Sequence, residues 1–199
     1  MTIVLPSKRT IKVTKPRLIT YGNELGRDTG APVQHIDRLG TRHAIDFTIP
    51  IMRSEPDGRI FASRLAQGKL SSVRMHFKPN GLKIGAPGSP VVDGNGQSGM
   101  QVALRDFTPG YALREGQPFN FIINGVYYLH VATQTAVAGA DGKMTLSFYP
   151  MLRALPANGD SVNVASPAIE GSLSGNEAAW TEMTAPYHDF GTITIMEDQ

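Results

Sequence analysis

Cysteine is absent from all 199 residues of this chain. Without a thiol there can be no disulfide, no thiolate nucleophile, no iron–sulfur cluster and no cysteine-ligated zinc site. Long apolar runs are also missing, since none approaches the ~20 residues needed to span a bilayer. The amino-terminal sequence MTIVLPSKRTIKV places its apolar run before its basic residues, which is the reverse of a secretion signal. We therefore expect a soluble protein, made in a cytoplasm without export and without membrane insertion.

Charged and aromatic residues are few, at 18% and 8%, whereas glycine and proline are plentiful, with 21 and 14 residues. Because glycine and proline interrupt regular structure, we expect many short elements joined by turns, which is typical of all-β proteins. The hydrophobic content of 41% is that of a globular chain. The length allows one large domain or two small ones.

The two parts of the chain carry opposite charge. Residues 1–83 hold 15 Lys and Arg against 6 Asp and Glu, a net of +9, whereas residues 84–199 have a net of −7. A basic half suggests nucleic acid, but its basic residues are scattered singly without interleaved aromatic side chains. A solvated or subunit-facing surface is the simpler interpretation. Opposite charge within one chain also suits head-to-tail stacking of copies.

Strands are predicted on both sides of a turn in the first part of the chain. His43, Ile45, Phe47 and Ile49 alternate with more polar neighbours, which is the period of a strand. The sequence RLGTR at residues 38–42 is the predicted hairpin turn before it, and residues 71–79 are a further predicted strand. Residues 1–16 show no period and are predicted to form a basic arm that includes Lys8, Arg9, Lys12 and Lys15.

One segment has a helical pattern, SEPDGRIFASRLAQGK. Phe61 and Leu65 are four residues apart and give it one apolar face. Ser54 is a candidate N-cap, with Asp57 three residues further on, and Gly68 is placed to end the helix. The pattern predicts a helix at about 54–67.

The passage 80–96 is rich in turns and is the best candidate for a domain boundary. After it, alternating apolar segments are separated by three turn sequences. Asn124-Gly125 between apolar runs is the strongest short hairpin signal, and Asp141-Gly142 and residues 156–160 give two more turns. Five or six antiparallel strands are therefore predicted, which close most economically as a small barrel.

Gly94, Gly96 and Gly99 have the spacing G-x-G-x-x-G of dinucleotide-binding loops. That loop must be followed by a helix, whose N-terminal amides hold the phosphates. Residues 100–107 alternate like a strand instead, so we expect a turn between strands and no bound nucleotide. A calcium loop is rejected as well, because the twelfth ligand position from Asp93 is Leu104 and not an acidic residue.

No catalytic, cofactor-binding or metal-binding residue is assigned, and the ligand-binding residues are unknown. The five histidines lack metal-ligand spacing; they are His35, His43, His76, His130 and His188. His130 is predicted to have a structural, hydrogen-bonded role. Trp180 is interpreted as an anchor for the C-terminal segment, and Glu197-Asp198 as a solvated chain end. Adjacent Tyr127 and Tyr128 must face opposite sides of their strand.

Read in order, these segments resemble distal tail proteins of long-tailed bacteriophages, the rings that join the tail tube to the baseplate. Pro150, Leu152 and Arg153 match a P-x-L-R motif, and Glu197 matches an acidic end to the last strand. Gly116-Gln117 departs from the Gly-Asp of the family, and only Gln97 and Gly99 match its G-x-Q-x-G. The resemblance covers about residues 30–199. The longest stretches that carry it are QHIDRLGTRHAIDFTIPIM, GSPVVDGNGQSGMQVALRDF and LREGQPFNFIINGVYYLHVATQTAVAGADGKMTLSFYPMLRALPANGDSVNV.

The resemblance implies a mostly β fold: a tail-tube-like β-sandwich with one flanking helix, plus an inserted small antiparallel β-barrel. The first domain would comprise 1–83 and 168–199, and the barrel 84–167. The family also implies a non-enzymatic virion protein that forms a homohexameric ring, in which edge strands of neighbouring copies pair and close. Its partners would be the tail tube protein, the baseplate or tail-tip hub and the tape measure protein, with DNA only as passing cargo.

Other functions remain open at this point. One is a carbohydrate- or receptor-binding β-module of a tail tip that stacks sugars on Trp180, Tyr127 or Tyr128, and another is a different tail or neck connector ring. A small hydrolase has no supporting motif. Binding of single-stranded nucleic acid by the barrel is disfavoured because the barrel lies in the acidic half.

Overall fold

The computed structural model describes residues 1–7, 11–25, 34–36 and 38–198. Within them the chain forms one α-helix and nineteen short strands. The first part contains β1 (Ile3–Val4), β2 (Val13–Ile19), β3 (Asn23–Leu25), β4 (Gln34–Ile36), β5 (Arg42–Thr48), β6 (Met52–Arg53), α1 (Arg59–Gly68) and β7 (Val73–His76). The middle contains β8 (Gly88–Val92), β9 (Gln101–Phe107), β10 (Ala112–Leu113), β11 (Pro118–Ile123), β12 (Val126–Ala132), β13 (Ala136–Val137), β14 (Met144–Tyr149) and β15 (Ser161–Asn163). The last part contains β16 (Ala168–Leu173), β17 (Thr181–Glu182), β18 (Tyr187–Asp189) and β19 (Thr192–Glu197).

Six strands form the largest sheet, in the spatial order β1-β7-β16-β19-β5-β2. Neighbours are antiparallel except for β1 and β7, which are parallel. Alternation along the strands buries one set of side chains, such as Ile45, Phe47 and Ile195. The other face is polar, and there Asp46 accepts hydrogen bonds from Arg17 and Thr194. The sheet therefore has one face in a core and one face that meets water.

Helix α1 covers the apolar face of this sheet. Phe61 and Leu65 are buried in the same core as the sheet residues, and Phe61 packs edge-on against Phe190 at 4.7 Å between ring centroids. The predicted helix is confirmed, but it begins at Arg59 after a wide π-helical turn, Ser54–Gly58. The prediction that Ser54 caps the helix is wrong. Glu55 is extended, with φ −115° and ψ 134°, and it separates Ser54 from the helical turns.

The hairpin predicted around the turn at 38–42 is not formed, as the pairing of the strands in two small sheets and in the large sheet shows. Strands β17, β18 and β6 form one small sheet, and β3 pairs with β4 in the other. The chain does turn at this point, because Thr41 N donates to Arg38 O at 3.1 Å. Strand β5, however, lies between β2 and β19 inside the large sheet and does not pair with β4. Its regular alternation reflects this interior position.

Six antiparallel strands close into a barrel in the order β11-β12-β14-β9-β8-β15. Its interior is aromatic: Phe119, Phe121 and Phe148 are fully buried, with ring centroids 5.3–5.9 Å apart. The prediction of a mostly β fold with one helix and a small antiparallel barrel is confirmed. A strand missed from the sequence, β8, lies inside the turn-rich passage 80–96.

The Asn124-Gly125 turn joins β11 to β12 as predicted. Both residues have positive φ, 51° and 80°, which is what a two-residue type I′ turn requires. Barrel strands all lie inside the predicted 84–167 range, and the strands of the large sheet lie outside it. The division into two domains stays a prediction. Among the described residues, no helix combines the length and apolar character that crossing a membrane requires.

The described part of the predicted basic arm belongs to the large sheet. Strand β1 pairs with β7, and Leu5 is only 1% exposed in the sheet core. The burial of Leu5 holds this segment in place, which the lack of periodicity in the sequence did not indicate. Lys8 and Arg9, two of the four basic residues named for the arm, lie outside the described residues.

We predict that Leu5→Ala lowers the free energy of unfolding by about 2–4 kcal/mol, because it leaves a cavity in the core. Chemical denaturation monitored by fluorescence measures the change. Val4→Ala is the matched control, since Val4 is 43% exposed on the same strand, and it should change the free energy by less than about 0.5 kcal/mol. Equal small effects of both substitutions would contradict the placement of Leu5 in the core.

Candidate functional site

The barrel meets the large sheet at the end where β16 and β5 begin and β19 ends. We call this contact the junction and define it by Asn120 and Arg153 from the barrel region and by Arg74, Glu170 and Glu197 from the sheet. Leu129, on β12 of the barrel, is buried in the core of the sheet. The most buried charged groups of the described chain are concentrated here, which makes the junction the candidate functional site.

Strand β12 has unpaired amides at the junction. It pairs with β11 from Val126 to Val131, but with β14 only at Val131 and Ala132. Thr133 N donates to Ser147 O, so odd-numbered amides of this segment point to the β14 side. The amides of Tyr127 and Leu129 therefore point to the side on which β12 has no neighbouring strand in the described chain. A buried amide without an acceptor is costly, so these two groups need partners from elsewhere.

Two carboxylates of the sheet supply the missing acceptors. Glu170 Oε2 accepts from Tyr127 N at 3.1 Å, and Glu197 Oε1 accepts from Leu129 N at 2.7 Å. The two glutamates lie on neighbouring strands, since Glu197 pairs in register with Gly171. They replace part of a missing strand and join the barrel to the sheet.

Glu197 is 2% exposed and fully engaged. Its Oε2 accepts from the backbone N of His43 at 2.8 Å, and Arg153 Nη2 lies 2.8 Å from Oε1. Burial raises the pKa of the Glu197 carboxyl above its ordinary value, while the positive charge of Arg153 and the two amides oppose that rise. These partners thus stabilise the ionised carboxylate at a buried position where water cannot solvate it.

Glu170 is the second centre of the junction. Arg74, its cross-strand partner, places Nε and Nη2 each 2.7 Å from Oε2, and Thr2 donates to Oε1 at 2.7 Å. The same guanidinium donates to Gly125 O at 2.8 Å and lies 3.7 Å from the centroid of the Tyr127 ring. One ion pair therefore connects β1, β7 and β16 to the tip of the β11–β12 hairpin.

Asn120 makes a third connection, at the point where the chain returns from the barrel to the sheet. Its side-chain amide donates to Ala168 O and accepts from Ala168 N, both at 2.8 Å. This pair of bonds imitates the bonding between two backbone residues in a sheet. Asn120 is fully buried, so the two bonds are shielded from water.

Two buried histidines lie beside the junction. His130 is fully buried among Phe119, Phe121 and Phe148, and its Nδ1 lies 2.8 Å from Pro150 O. Burial lowers the pKa of His130 to about 3. Burial, followed by the positive charge of Arg153, lowers the pKa of His43 to about 4. Both imidazoles are therefore neutral at pH 7, and the structural role predicted for His130 fits its environment.

The junction is suited to holding two bodies together. Each oxygen of both carboxylates already accepts from a donor of the chain itself. Within the described ranges, no group of three or more histidine and acidic side chains is placed to hold a metal ion.

The glycine-rich loop behaves as predicted for a turn. Gly94, Gly96 and Gly99 all have positive φ, and strand β9 follows where a nucleotide site needs a helix. Gln97 fills the loop: its amide nitrogen donates to Asp93 O at 2.9 Å and to Ala103 O at 3.2 Å, and its oxygen accepts from Ala103 N. The side chain of Gln97 therefore holds the loop closed.

The other residues considered from the sequence do not converge. Trp180 packs beside Phe190 at 6.3 Å and donates to Glu182 at 3.1 Å. Tyr127 contacts Arg74 on the sheet, whereas Tyr128 packs against the barrel core, so the prediction that they face opposite sides is confirmed. Of the other three histidines, His76 bonds to Ser166 and packs edge-on against Tyr127 beside the junction, and His188 stacks on Phe190. The side chain of His35 lies outside the described residues.

Sequence reasoning missed the glutamates, and the prediction that Glu197 is a solvated chain end is wrong. Ile193, Ile195 and Glu197 alternate, so Glu197 shares the buried phase of its strand. That alternation was the signal that could have identified it.

No protein-family model matches this chain, and no curated protein matches it either.

We predict that Glu197→Gln lowers the free energy of unfolding by about 3 kcal/mol, because it leaves the buried Arg153 without a counter-charge. Denaturant titration measures the loss. Adding Arg153→Met should recover part of it, since the unpaired charge is then removed. Glu55→Gln is the control, because the Glu55–Arg59 pair is exposed and its loss should have no measurable effect. Wild-type stability of Glu197→Gln would refute the role given to this carboxylate.

Proposed function

We propose that this chain is a structural subunit of the tail tip of a long-tailed bacteriophage, of the distal tail type. Copies form a ring, hexameric by the family resemblance, that joins the tail tube to the baseplate or tail-tip hub. The ring leaves a channel through which DNA passes, and its location is the virion tail. The protein acts through its shape and its contacts, and not through catalysis.

The observation that carries the proposal is the junction. Two buried carboxylates, each with its own arginine, fix the barrel to the end of the sheet. Charged groups are buried in proteins only where they are paired or serve a function. Here they are used to hold two bodies in one geometry, which is what a ring subunit that transmits force between a tube and a tip requires.

The architecture agrees with the family resemblance. A six-stranded sheet covered by one helix is combined with a small closed barrel, and the strands of the barrel lie between those of the sheet in the sequence. The resemblance rested on motifs that are individually weak. The fold supports the same assignment through features that these motifs do not contain.

The edges of the large sheet modify the expected mode of assembly. Ile49 N donates to Gly191 O, so the odd-numbered residues of β5 bond to β19. Pro16, which is paired with Ile45, therefore turns its ring nitrogen to the free edge of β2, where it cannot donate. At the opposite edge, Arg64 Nη1 donates to Val4 O at 2.8 Å. Both edges are protected against strand pairing, so we propose that copies meet through side chains.

Exposed apolar side chains offer such a surface on the three-stranded sheet. Tyr187 is paired with Arg53, Ile51 has the same phase as Arg53, and Met183 N donates to Tyr187 O. Ile51, Met183 and Tyr187 are 54%, 40% and 37% exposed. Apolar side chains grouped on one face of a sheet are typical of a contact between proteins.

The alternative of a sugar-binding module gains no support from Trp180, whose ring packs against the sheet core and whose indole nitrogen is engaged by Glu182. Tyr127 lies beneath Arg74, so its ring face is also occupied.

We predict that the purified full-length protein forms a closed ring with a central opening. Negative-stain microscopy gives the symmetry, and mass photometry over a dilution series gives the number of copies. Six copies around an open centre are expected. A particle that remains a monomer at micromolar concentration in both measurements would contradict the proposal, and a closed ring of another number would correct only its stoichiometry.

A further inference from the structure

His43 and His130 lie on opposite sides of the junction. His43 belongs to β5 of the sheet and is 5% exposed, whereas His130 belongs to β12 of the barrel and is fully buried. The positive charge of Arg153 acts on both imidazoles, and His43 and His130 also interact electrostatically with each other. A proton on either ring is therefore felt across the contact between the two bodies.

The hydrogen bonds define which nitrogen of each ring is protonated. Pro150 O, 2.8 Å from His130 Nδ1, is a carbonyl oxygen and can only accept, so Nδ1 carries the hydrogen. The His43 ring is hydrogen-bonded to the backbone of Tyr149, and because its Nε2 has no partner among the described residues, Nδ1 is the bonded nitrogen. In the neutral imidazoles Nε2 then carries the lone pair. Both Nε2 atoms are buried, and no described residue donates to them, so they are the positions that an added proton would occupy.

The groups around these two rings already carry a net positive charge while the rings are neutral. From the sheet, β5 contributes Arg42 and β19 contributes Glu197; from the barrel side, the segment after β14 contributes Arg153. The phenols of Tyr128 and Tyr149 are the other titratable neighbours. Glu197 is thus the one negative group against two guanidinium groups among these described neighbours. Further positive charge has no counter-charge there.

We propose that the junction is an acid-responsive joint: protonation of His43 on the sheet adds a positive charge near Arg153 of the barrel side, with which it shares Glu197, and loosens the barrel from the sheet while each body stays folded. The repulsion acts beside Glu197, the shared acceptor of backbone amides from β5 and β12. The hydrogen bonds lost first are then those to Tyr127 N and Leu129 N.

The direction of the pH dependence follows from the two imidazoles. Their pKa values in the folded protein are about 4 and about 3, against 6.5 for an exposed histidine. The stability that depends on neutral rings is complete above pH 6.5 and is lost as the pH falls toward 4 and then 3. Glu197 acts in the opposite sense, because its pKa is raised by burial and its protonation relieves that burial. His130 lies in the barrel core, so opening of the joint exposes the His43 ring; where Glu197 is ionised in both states, opening takes up about one proton, which is about tenfold per pH unit.

Amide hydrogen exchange of the full-length protein, measured residue by residue between pH 7 and pH 4, tests the proposal. Protection factors of the Tyr127 and Leu129 amides are expected to fall about tenfold per pH unit below pH 6. Amides inside the ladders of the two bodies, such as Ile195 and Leu146, should keep their protection over the same range. Equal loss at all four amides, or no loss at Tyr127 and Leu129, would overturn the proposal.

His43→Asn is the matched variant, because the asparagine amide can still donate to the backbone of Tyr149 but does not titrate. It should flatten the pH dependence at Tyr127 and Leu129. His188→Asn replaces a histidine that stacks on Phe190 in the three-stranded sheet and should leave that dependence unchanged. If His43→Asn does not fold, the imidazole signals of the wild-type protein decide by nuclear magnetic resonance. Protonation that coincides with loss of protection at Leu129 supports the joint, and protonation near pH 6.5 without such loss overturns it.

Discussion

When a strand is paired along only part of its length, its remaining backbone amides still need hydrogen-bond acceptors. Strand β12 is such a strand, and its unpaired stretch lies inside the molecule. Before Val131 it has no strand partner on the β14 side within the described ranges, so the amides of Tyr127 and Leu129 point away from the barrel. Glu170 and Glu197 accept them. Because these glutamates belong to neighbouring strands of the sheet, one backbone requirement determines where the barrel is attached and how it is oriented.

Burying the two carboxylates creates further requirements that the surroundings meet. Arg74 and Arg153 compensate their charge, and Asn120 secures the returning chain at Ala168. The positive charge of Arg153 also disfavours a proton on His43, which links the junction to pH. The same arrangement explains why the junction is suited to maintaining shape: each oxygen of its two carboxylates already accepts from a donor of the chain. We propose that this arrangement serves a ring subunit of a phage tail tip.

Local signals predicted much of the fold, and long-range contacts account for most of the errors. The Asn124-Gly125 turn, the strand after Gly99 and the helix containing Phe61 and Leu65 depend on neighbours in sequence, and they were predictable. Leu5 and Glu197 were not identified, because each is buried by residues far away in the chain. Ser54 failed as a cap because the extended Glu55 interrupts the turn. The sequence gives no direct sign of which acceptors β12 will find, so the junction itself could not be predicted.

The claim on which this account depends is that barrel and sheet form one rigid unit at neutral pH. Residual dipolar couplings of backbone amides measure this rigidity directly, because each rigid body in solution has its own alignment tensor. A single alignment tensor that fits the amides of both bodies at pH 7, in the orientation described here, is the predicted result. Two tensors of different magnitude or direction would show that the barrel moves independently of the sheet, and would contradict the role given to Glu170 and Glu197.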